Sequence, residues 1–378
     1  MVMDKKLYIQ SLHREAMAIA DCADDARNEG KAIEGKLLYE DAYSKEKGAA
    51  MLAIQENVGE PSTSILIRSA ASLAYDAGKY RECEQMVGLG LSRETPEEIA
   101  EELRDLLENV HFSRHLQLKG VTLAENEMQF VVAGKGVAFG MAREEDVNKR
   151  VNAIKNIALR TIERKKGLPF RTKGRPAEDV AQLCQPYMSI PRAASFAITL
   201  RFGVVSMPTF EGMRTASNAL INDIAENIAL VNSGDIEQLK NRIQDDAYLT
   251  NFMGYTKELA PDGDDVNLVG ITYSLDGNIR EVQFTQTRNE LSRKIGKYQE
   301  IKSISTQTED IERILQIEGF LSAADSKDNF IKITNKEDKT FKIIVPKGLT
   351  DIVRGYFDEI VQAVVKSTSK GFELINID

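Results

Sequence analysis

The chain lacks tryptophan and has few of the residues that bind metals or form disulfides. Its 378 residues include three histidines and three cysteines. A metal site or catalytic centre that needs several imidazoles therefore has little to draw on. The cysteines are odd in number and far apart, which is typical of reduced thiols; they are Cys22, Cys83 and Cys184. We predict no metal and no cofactor.

Long apolar runs are also missing. No stretch approaches the roughly 20 apolar residues that cross a bilayer, and the start, Met-Val-Met-Asp-Lys-Lys, has no apolar signal segment. The 42% hydrophobic residues are enough to build real cores. The sequence therefore predicts a folded, cytoplasmic protein without a membrane segment, and its length allows two or three domains.

Excess negative charge is confined to the first part of the chain. Residues 1–110 hold 13 Lys and Arg against 22 Asp and Glu, whereas the remainder has 36 of each, so the first part carries the whole net charge of −9. Nucleic acid is a poor ligand for this part, because phosphate binding needs lysine and arginine. We expect its ligand to be basic or apolar.

Lys5 to Val110 has the composition and apolar spacing of five helices. One hairpin carries a family pattern of small residues, a glycine corner and an aromatic residue: Ala70-Ala71, Ala74-Tyr75, Gly78-Lys79-Tyr80, Cys83, Gly90-Leu91 and Pro96. This hairpin resembles a tetratricopeptide repeat, in which small residues let two helices approach closely. It departs from the pattern at Cys83, Val87 and Pro96, and the preceding pair around Gly30-Lys31 fits loosely.

The resemblance implies stacked helix pairs that form a groove for a peptide or helix of a partner. By this analogy, three tyrosines are candidate partner contacts or packing residues between helices, and we favour packing: Tyr39, Tyr75 and Tyr80.

The composition changes after His111, where alternating apolar residues predict strands. Expected strands at 116–123, 128–141, 194–205, 266–273 and 280–287, with helices at 145–166, 176–187, 215–231 and 235–243, predict an α+β domain. A polar linker is expected at Gln299–Asp310, followed by five short strands of a small β-barrel or sandwich. The predicted fold is thus a multi-domain α+β chain: a tetratricopeptide-like helical module (1–111), a central α+β domain (112–305) and a small β-rich domain (306–378).

Basic residues are concentrated between Arg150 and Arg175, where nine lysines and arginines face one acid, Glu163. We refer to this stretch as the basic segment. The apolar stripe of its helix places Lys149, Arg160 and Arg164 on the opposite, outward face. Candidate residues for binding nucleic acid or another anion are Lys149, Arg160, Arg164, Lys165, Lys166, Arg171 and Lys173.

Three other interpretations of the basic segment stay open. It can be a solvated helix face, a dock for the acidic first module of the same chain, or a site for a small anion. Few aromatic residues accompany the cations, so stacking on single-stranded bases has little support here.

Weaker motifs favour structure over chemistry. His111 and His115 have a spacing that suits a metal on one helix face, but we place them at a helix-to-strand boundary with no third ligand. Gly134-x-Gly136-x-x-x-Gly140 is one residue too long for a dinucleotide fingerprint and predicts a hairpin turn. The acidic run 261–265 is too short for an EF-hand calcium loop and predicts a turn that enters a strand.

The sequence therefore favours a non-catalytic cytoplasmic interaction or scaffold protein that binds a protein partner through its acidic module. The first alternative is a nucleic-acid-associated factor that uses the basic segment. The second is an enzyme whose residues meet only in the folded chain. Such an enzyme would show a large pocket in the central domain, lined by two or more carboxylates of raised pKa.

Overall fold

The structure is a computed structural model that describes residues 5–116, 123, 127–138, 141–184, 187–188, 196–202, 211–305, 314–325, 328–368 and 371–378. The chain forms two compact units, Met1–His115 and Leu116–Asp378. The first is all helical, and the second contains a five-stranded sheet with its helices and a closed five-stranded barrel. No helix in these described ranges is long and apolar enough to cross a membrane.

The first unit consists of five helices that pack as successive hairpins, as the sequence predicts. They are α1 (Lys5–Asn28), α2 (Ala32–Gln55), α3 (Ser62–Asp76), α4 (Tyr80–Leu91) and α5 (Glu97–Leu116). Fully buried alanines line the contacts between them, among them Ala23, Ala49 and Ala70. Gly30 and Gly78 have positive φ angles at the two predicted corners, where a residue with a Cβ would be strained.

The last helix of this unit is longer than the sequence predicts. We expected it to end near Val110 and a strand to begin at Leu116, but α5 continues to Leu116. Tertiary contacts hold its final turns: Phe112 is fully buried, and the side chains of Ser113 and Arg114 bond to α3 and α4. Of the rest of the expected strand, only Leu123 lies within the described residues.

The central sheet of the second unit is antiparallel, with strand order β4-β5-β1-β6-β7. Its strands are β1 (Glu127–Ala133), β4 (Tyr187–Met188), β5 (Phe196–Arg201), β6 (Leu268–Leu275) and β7 (Asn278–Gln283), and β2 (Val137–Ala138) and β3 (Met141–Ala142) pair separately. Phe130 on the middle strand is fully buried and lies opposite Ile198 and Ile271. The predicted hairpin at Asp276-Gly277 is confirmed, with positive φ at both residues.

The helices of this unit are α6 (Glu144–Lys165), α7 (Glu178–Leu183), α8 (Glu211–Ser233), α9 (Ile236–Arg242), α10 (Asp246–Leu259), α11 (Arg288–Ser305) and α12 (Thr350–Val353). Helix α10 is buried along almost its whole length, because it packs against α6 on one side and, on the other, against residues 345–359, which join two strands of the barrel and which we call the barrel connector. Asn251 of α10 donates a hydrogen bond to the Gly348 carbonyl, at 2.8 Å. Gly348 approaches so closely that a Cβ would lie 2.6 Å from the Ala247 carbonyl.

The barrel has strands β8 (Ile314–Asp325), β9 (Phe330–Thr334), β10 (Thr340–Ile344), β11 (Ile360–Thr368) and β12 (Gly371–Ile377). Each strand pairs antiparallel with its neighbours, except that β10 and β12 are parallel, and β11 closes onto β8. This order, with a helical connector between the third and fourth strands, is the Greek-key arrangement of an OB-type barrel. Of the two predicted forms, barrel or sandwich, the structure shows a barrel.

Two further expectations for this unit are wrong. The helix expected at 176–187 covers only Glu178–Leu183, and Tyr187 belongs to a strand. The expected linker begins inside α11, which runs to Ser305, and its residues 306–310 lie outside the described ranges. The apolar positions Leu291, Ile295 and Tyr298 pack α11 on the core of this unit. The division into three domains stays a prediction, since sheet and barrel share one compact unit.

Candidate functional site

The candidate tyrosines of the first unit pack between helices. Tyr39 of α2 is buried, donates a hydrogen bond to Asp24 of α1, and lies 5.5 Å from the Arg27 guanidinium, measured to its ring centre. Burial raises its pKa, and the bond to Asp24 adds to this effect. Tyr39 is therefore placed to hold α1 against α2.

Tyr75 and Tyr80 form a second packed pair. Their ring centres lie 5.7 Å apart across the Gly78 corner. The Tyr75 hydroxyl is 3.1 Å from the Ser113 hydroxyl of α5, and burial raises its pKa. Both rings are half-buried, so they leave little surface for a partner.

Apolar side chains exposed to solvent lie instead on the outer face of α2. Ile33 is 82% exposed and Leu37, one turn later, is 62% exposed. Two exposed carboxylates, Glu34 and Asp41, lie next to them along the helix and form no ion pair within the described residues. We call these four residues the α2 surface. Sequence reasoning missed it because both apolar positions fit the apolar period of a buried helix face.

The two most deeply buried arginines of the basic segment, Arg150 and Arg160, are held by hydrogen bonds and ion pairs. Arg150 donates to the carbonyls of Leu259 and Ala260, at 3.3 and 3.2 Å, and to the Asp262 carboxylate, at 3.3 Å. Burial lowers its pKa, and repulsion from Arg288 adds to this.

Arg160 was expected on the outward face, but it is buried. Its guanidinium bonds to the carboxylates of Asp351 and Glu163, with Nη1 to Glu163 at 2.7 Å, and lies over the Phe170 ring. Burial alone would lower its pKa, but these two carboxylates outweigh burial and raise it. The expectation failed because Asp351, in the barrel connector, is 191 residues away in sequence.

The other candidate cations of the basic segment also have partners, whereas Lys155 and Arg175 form no ion pair with a described residue. Arg164 and Lys165 pair with Asp223 at 2.9 and 3.5 Å, and Arg171 pairs with Glu163 at 3.0 Å. Lys166 pairs with Asp179, and Lys173 also interacts with another group of the chain. Nucleic-acid binding by these residues stays a prediction, but most of them pair with carboxylates within the second unit.

A polar cavity of about 520 Å³ lies where α6 and α10 meet the barrel connector. The face of α6 that contains Glu145, Lys149 and Asn156 forms one wall, and Tyr255 of α10 forms another. Tyr356 of the connector closes the third side. The volume is typical of a small-molecule site.

Glu258 of α10 is at the centre of this cavity's charges, with a side chain only 6% exposed. Its Oε2 lies 3.2 Å from Lys149 Nζ, and its Oε1 accepts a hydrogen bond from the Tyr356 hydroxyl. Burial alone would raise its pKa. The cations of Lys257, Arg288 and Lys149 outweigh burial and hold the pKa at about 2, so the carboxylate stays ionised.

Two polar groups that line the cavity lack a hydrogen bond to a described residue. Glu258 Oε2 accepts none from the described residues, although Lys149 is close. The Tyr255 hydroxyl, on a residue 7% exposed, donates none to a described partner, and burial raises its pKa. Buried polar groups normally bond to protein or water, so Glu258 Oε2 marks a place where a ligand or water fits.

Two carboxylates of the cavity have pKa shifts opposite in direction to those expected of an acid-base enzyme. Among its carboxylates, Glu258 and Asp262 have lowered pKa values. The pKa of Asp262 would rise on burial, but backbone N–H donors and Arg150 outweigh that effect. The site escaped sequence reasoning because Glu258 and Tyr356 are 98 residues apart. The one available signal was the charged pair Lys257-Glu258 inside an apolar helix.

Cations without carboxylate partners lie on the outside of the barrel. Lys332 of β9 and Lys342 of β10 are directly opposite each other, and both are exposed. Lys342 Nζ lies 4.1 Å from the centre of the Phe330 ring, and Lys339 Nζ lies 5.0 Å from that of Phe341. None of these three lysines forms an ion pair with a described residue. We call Lys332, Lys339 and Lys342 the lysine face.

The weaker motifs have structural roles. His111 and His115 both lie on α5. Gly134 starts the predicted turn, where a Cβ would lie 2.4 Å from the Asp265 carbonyl. In the predicted acidic turn, Asp262 accepts backbone bonds from Asp264 and Val266. In the described part of the chain, no three His, Cys, Asp or Glu side chains are grouped as a metal site requires.

Comparison with known proteins adds no family to this description. The chain matches no protein-family model, and no curated protein or solved structure is significantly similar to it.

Proposed function

We propose that the protein is a non-catalytic cytoplasmic interaction protein whose first unit binds a basic, amphipathic segment of a partner protein. The observation that carries this proposal is the α2 surface, with Ile33 82% and Leu37 62% exposed one helical turn apart. Fully burying such a side chain contributes roughly 1.5–3 kcal/mol. Two neighbouring carboxylates without ion-pair partners add a preference for a cationic partner.

The helical hairpins of the first unit are compatible with a tetratricopeptide-like module, a type of fold that presents helix surfaces to other proteins. Tyr39, Tyr75 and Tyr80 then stiffen the scaffold, and the α2 surface makes the contact. The net negative charge of residues 1–110 agrees with a basic partner. The three cysteines are unpaired, as in a reducing compartment.

Affinity purification from the native host, with and without nuclease treatment, tests this proposal. A protein partner should be recovered with the wild-type chain, and Ile33→Ser/Leu37→Ser or Glu34→Lys/Asp41→Lys should lose it. The matched control is Leu7→Ser/Ile65→Ser, which changes two exposed apolar residues of the same unit. Equal recovery with all variants, or recovery that nuclease abolishes, would contradict the proposal.

A second candidate function, binding of single-stranded nucleic acid, is favoured by the lysine face. Like charges directly opposite on paired strands are destabilising, so two lysines facing each other without carboxylates favour an anionic ligand. Phe330 beside Lys342 offers a ring on which a base can stack. By analogy of fold, OB-type barrels bind oligonucleotides on the face of their second and third strands, which here are β9 and β10.

Fluorescence anisotropy with a labelled single strand of about 16 nucleotides tests this second candidate. Lys332→Glu/Lys342→Glu should abolish a salt-sensitive complex. Lys155→Glu/Lys166→Glu, a double charge reversal in the basic segment, should preserve it. The opposite pattern would assign binding to the basic segment, and no complex with the wild-type chain would exclude both sites.

A further inference from the structure

The cavity beside α6 already holds an ammonium group that belongs to the protein. Lys149 Nζ lies 3.2 Å from Glu258 Oε2 and 4.7 Å from the centre of the Tyr356 ring. A carboxylate and an aromatic face together are a recognised arrangement for organic cations. Tyr356 also donates a hydrogen bond to Glu258, so the carboxylate and the ring are held in one orientation.

Lys149 is the most exposed of the three cations that surround Glu258. Lys257 is 1% exposed and is held by Asn376 and Asp378, at 2.9 and 2.7 Å. Arg288 is 18% exposed and lies 3.9 Å from Glu258. Lys149, by contrast, is 41% exposed on a flexible stem.

An alternative partner for Lys149 is available one turn earlier on α6. Glu145 is exposed, lines the same cavity, and forms no ion pair within the described ranges. A glutamate four residues before a lysine is the favourable orientation for a helix pair. If Lys149 turns towards Glu145, it leaves the space between Glu258 and Tyr356.

We propose that this cavity binds a small organic cation, a molecule with a primary ammonium group, which takes the place of the Lys149 ammonium between Glu258 and Tyr356. The exchange replaces one positive charge by another, so the charge balance with Lys257 and Arg288 is kept. An anion would instead be repelled by Glu258, whose pKa of about 2 keeps it charged.

The remaining polar groups suit the rest of such a molecule. Tyr255 is 7% exposed and lines the cavity, and its hydroxyl has no described partner. The amides of Asn152 and Asn156 line the α6 wall and also have no described partner. These groups can donate to or accept from a second amine or a hydroxyl of the ligand.

Isothermal titration of the full chain with three four-carbon probes tests the proposal. The probes are 1,4-diaminobutane, 1,4-butanediol and succinate, which differ mainly in charge. Only 1,4-diaminobutane should bind. Glu258→Gln should weaken binding by at least about tenfold, since buried charged hydrogen-bond partners contribute this much or more.

Removing the Lys149 ammonium, which competes with the ligand for Glu258, should have the opposite effect on affinity to Glu258→Gln. Lys149→Ala should strengthen binding of 1,4-diaminobutane by about two- to fivefold, because the partly exposed Lys149 ammonium no longer competes for Glu258. Glu145→Gln should weaken binding by about twofold in the wild-type background and have no effect in Lys149→Ala. Lys155→Ala, an exposed lysine on the same helix, is the matched control and should change nothing.

Several results would overturn the proposal. These are failure of 1,4-diaminobutane to bind both the wild type and Lys149→Ala, equal binding of 1,4-butanediol, and binding of succinate. Weaker binding of 1,4-diaminobutane by Lys149→Ala would also overturn it, because Lys149 would then be a ligand contact. If Glu258→Gln does not fold, the Lys149 and Glu145 variants decide the question.

Discussion

The basic segment and the lysine face present positive charge in opposite ways. The basic segment holds nine cations in 26 residues of sequence, and most of them, including Arg160, Arg164, Lys166 and Arg171, pair with carboxylates of the second unit. The lysine face has three cations, and none pairs with a described carboxylate. The density of charge in a sequence therefore does not indicate how much of it is available to a ligand.

Burial explains the difference. A cation removed from water must be paired or neutralised, and α6 packs so closely that Arg150 and Arg160 are almost completely buried. Their partners come from the Asp262 turn and the barrel connector. The strands β9 and β10 instead turn alternate residues outwards, so Lys332 and Lys342 remain in solvent without partners.

The largest expected effect comes from breaking the Arg160 network. Arg160→Ala leaves the Asp351 and Glu163 carboxylates without their shared cation and removes a contact with Phe170. We expect the free energy of unfolding of the second unit to fall by about 3–5 kcal/mol, as for other buried pairs that lose one partner. Differential scanning calorimetry of the full chain measures this.

Lys155→Ala is the control for this change, since Lys155 is exposed and should shift stability by less than about 0.5 kcal/mol. A loss below about 1 kcal/mol for Arg160→Ala would mean that the basic segment is held loosely. Its cations would then be free to bind an anion, and the contrast with the lysine face would disappear.

The second expected effect is a pH dependence of the protein's stability. It arises from the Glu258 carboxylate, which the surrounding cations keep ionised. Its pKa in the folded protein, about 2, lies below the ordinary value of 4.5. The contribution of ionised Glu258 to the free energy of unfolding is therefore fully present above pH 4.5 and is lost as the pH falls towards 2. At about 1.36 kcal/mol per pKa unit, the loss is of the order of 3 kcal/mol.

Thermal unfolding between pH 6 and 2 measures this effect. The difference in stability between wild type and Glu258→Gln should shrink as the pH falls through that range. Lys342→Met, on the lysine face, should run parallel to the wild type at every pH, because no described carboxylate depends on Lys342. A constant difference between wild type and Glu258→Gln would show that the surrounding cations do not stabilise the charged carboxylate.

The sequence was sufficient to predict those strands and turns that depend on local residue patterns. The alternation of Phe330–Thr334 and Phe341–Val345 predicted β9 and β10 within one residue, and Gly78 and Gly277 marked turns that need positive φ. Helix α11 was missed because its three apolar contacts, Leu291, Ile295 and Tyr298, are separated by polar residues and Gly296. Low apolar content hides a helix whose stability comes from tertiary packing.

The candidate sites depend on contacts that local pattern does not contain. Arg160 meets Asp351 across 191 residues, and Tyr356 meets Glu258 across 98. The helical period placed Lys149 and Arg160 on one face, but it did not show that the barrel connector covers that face at Arg160. Whether a charged residue is free to bind a ligand depends on what packs against its helix, and the local sequence does not contain that information.

The smallest expected effect tests the comparison inside the basic segment itself. Lys166 pairs with Asp179, but the two side chains are 41% and 64% exposed. Exposed pairs typically contribute 0–1 kcal/mol, since solvent screens them and holding two long side chains costs entropy. Lys166→Ala should therefore change the free energy of unfolding by less than about 0.5 kcal/mol, as measured by calorimetry beside Arg160→Ala. A loss comparable to that of Arg160→Ala would mean that pairing, and not burial, determines how strongly each cation of this segment is held.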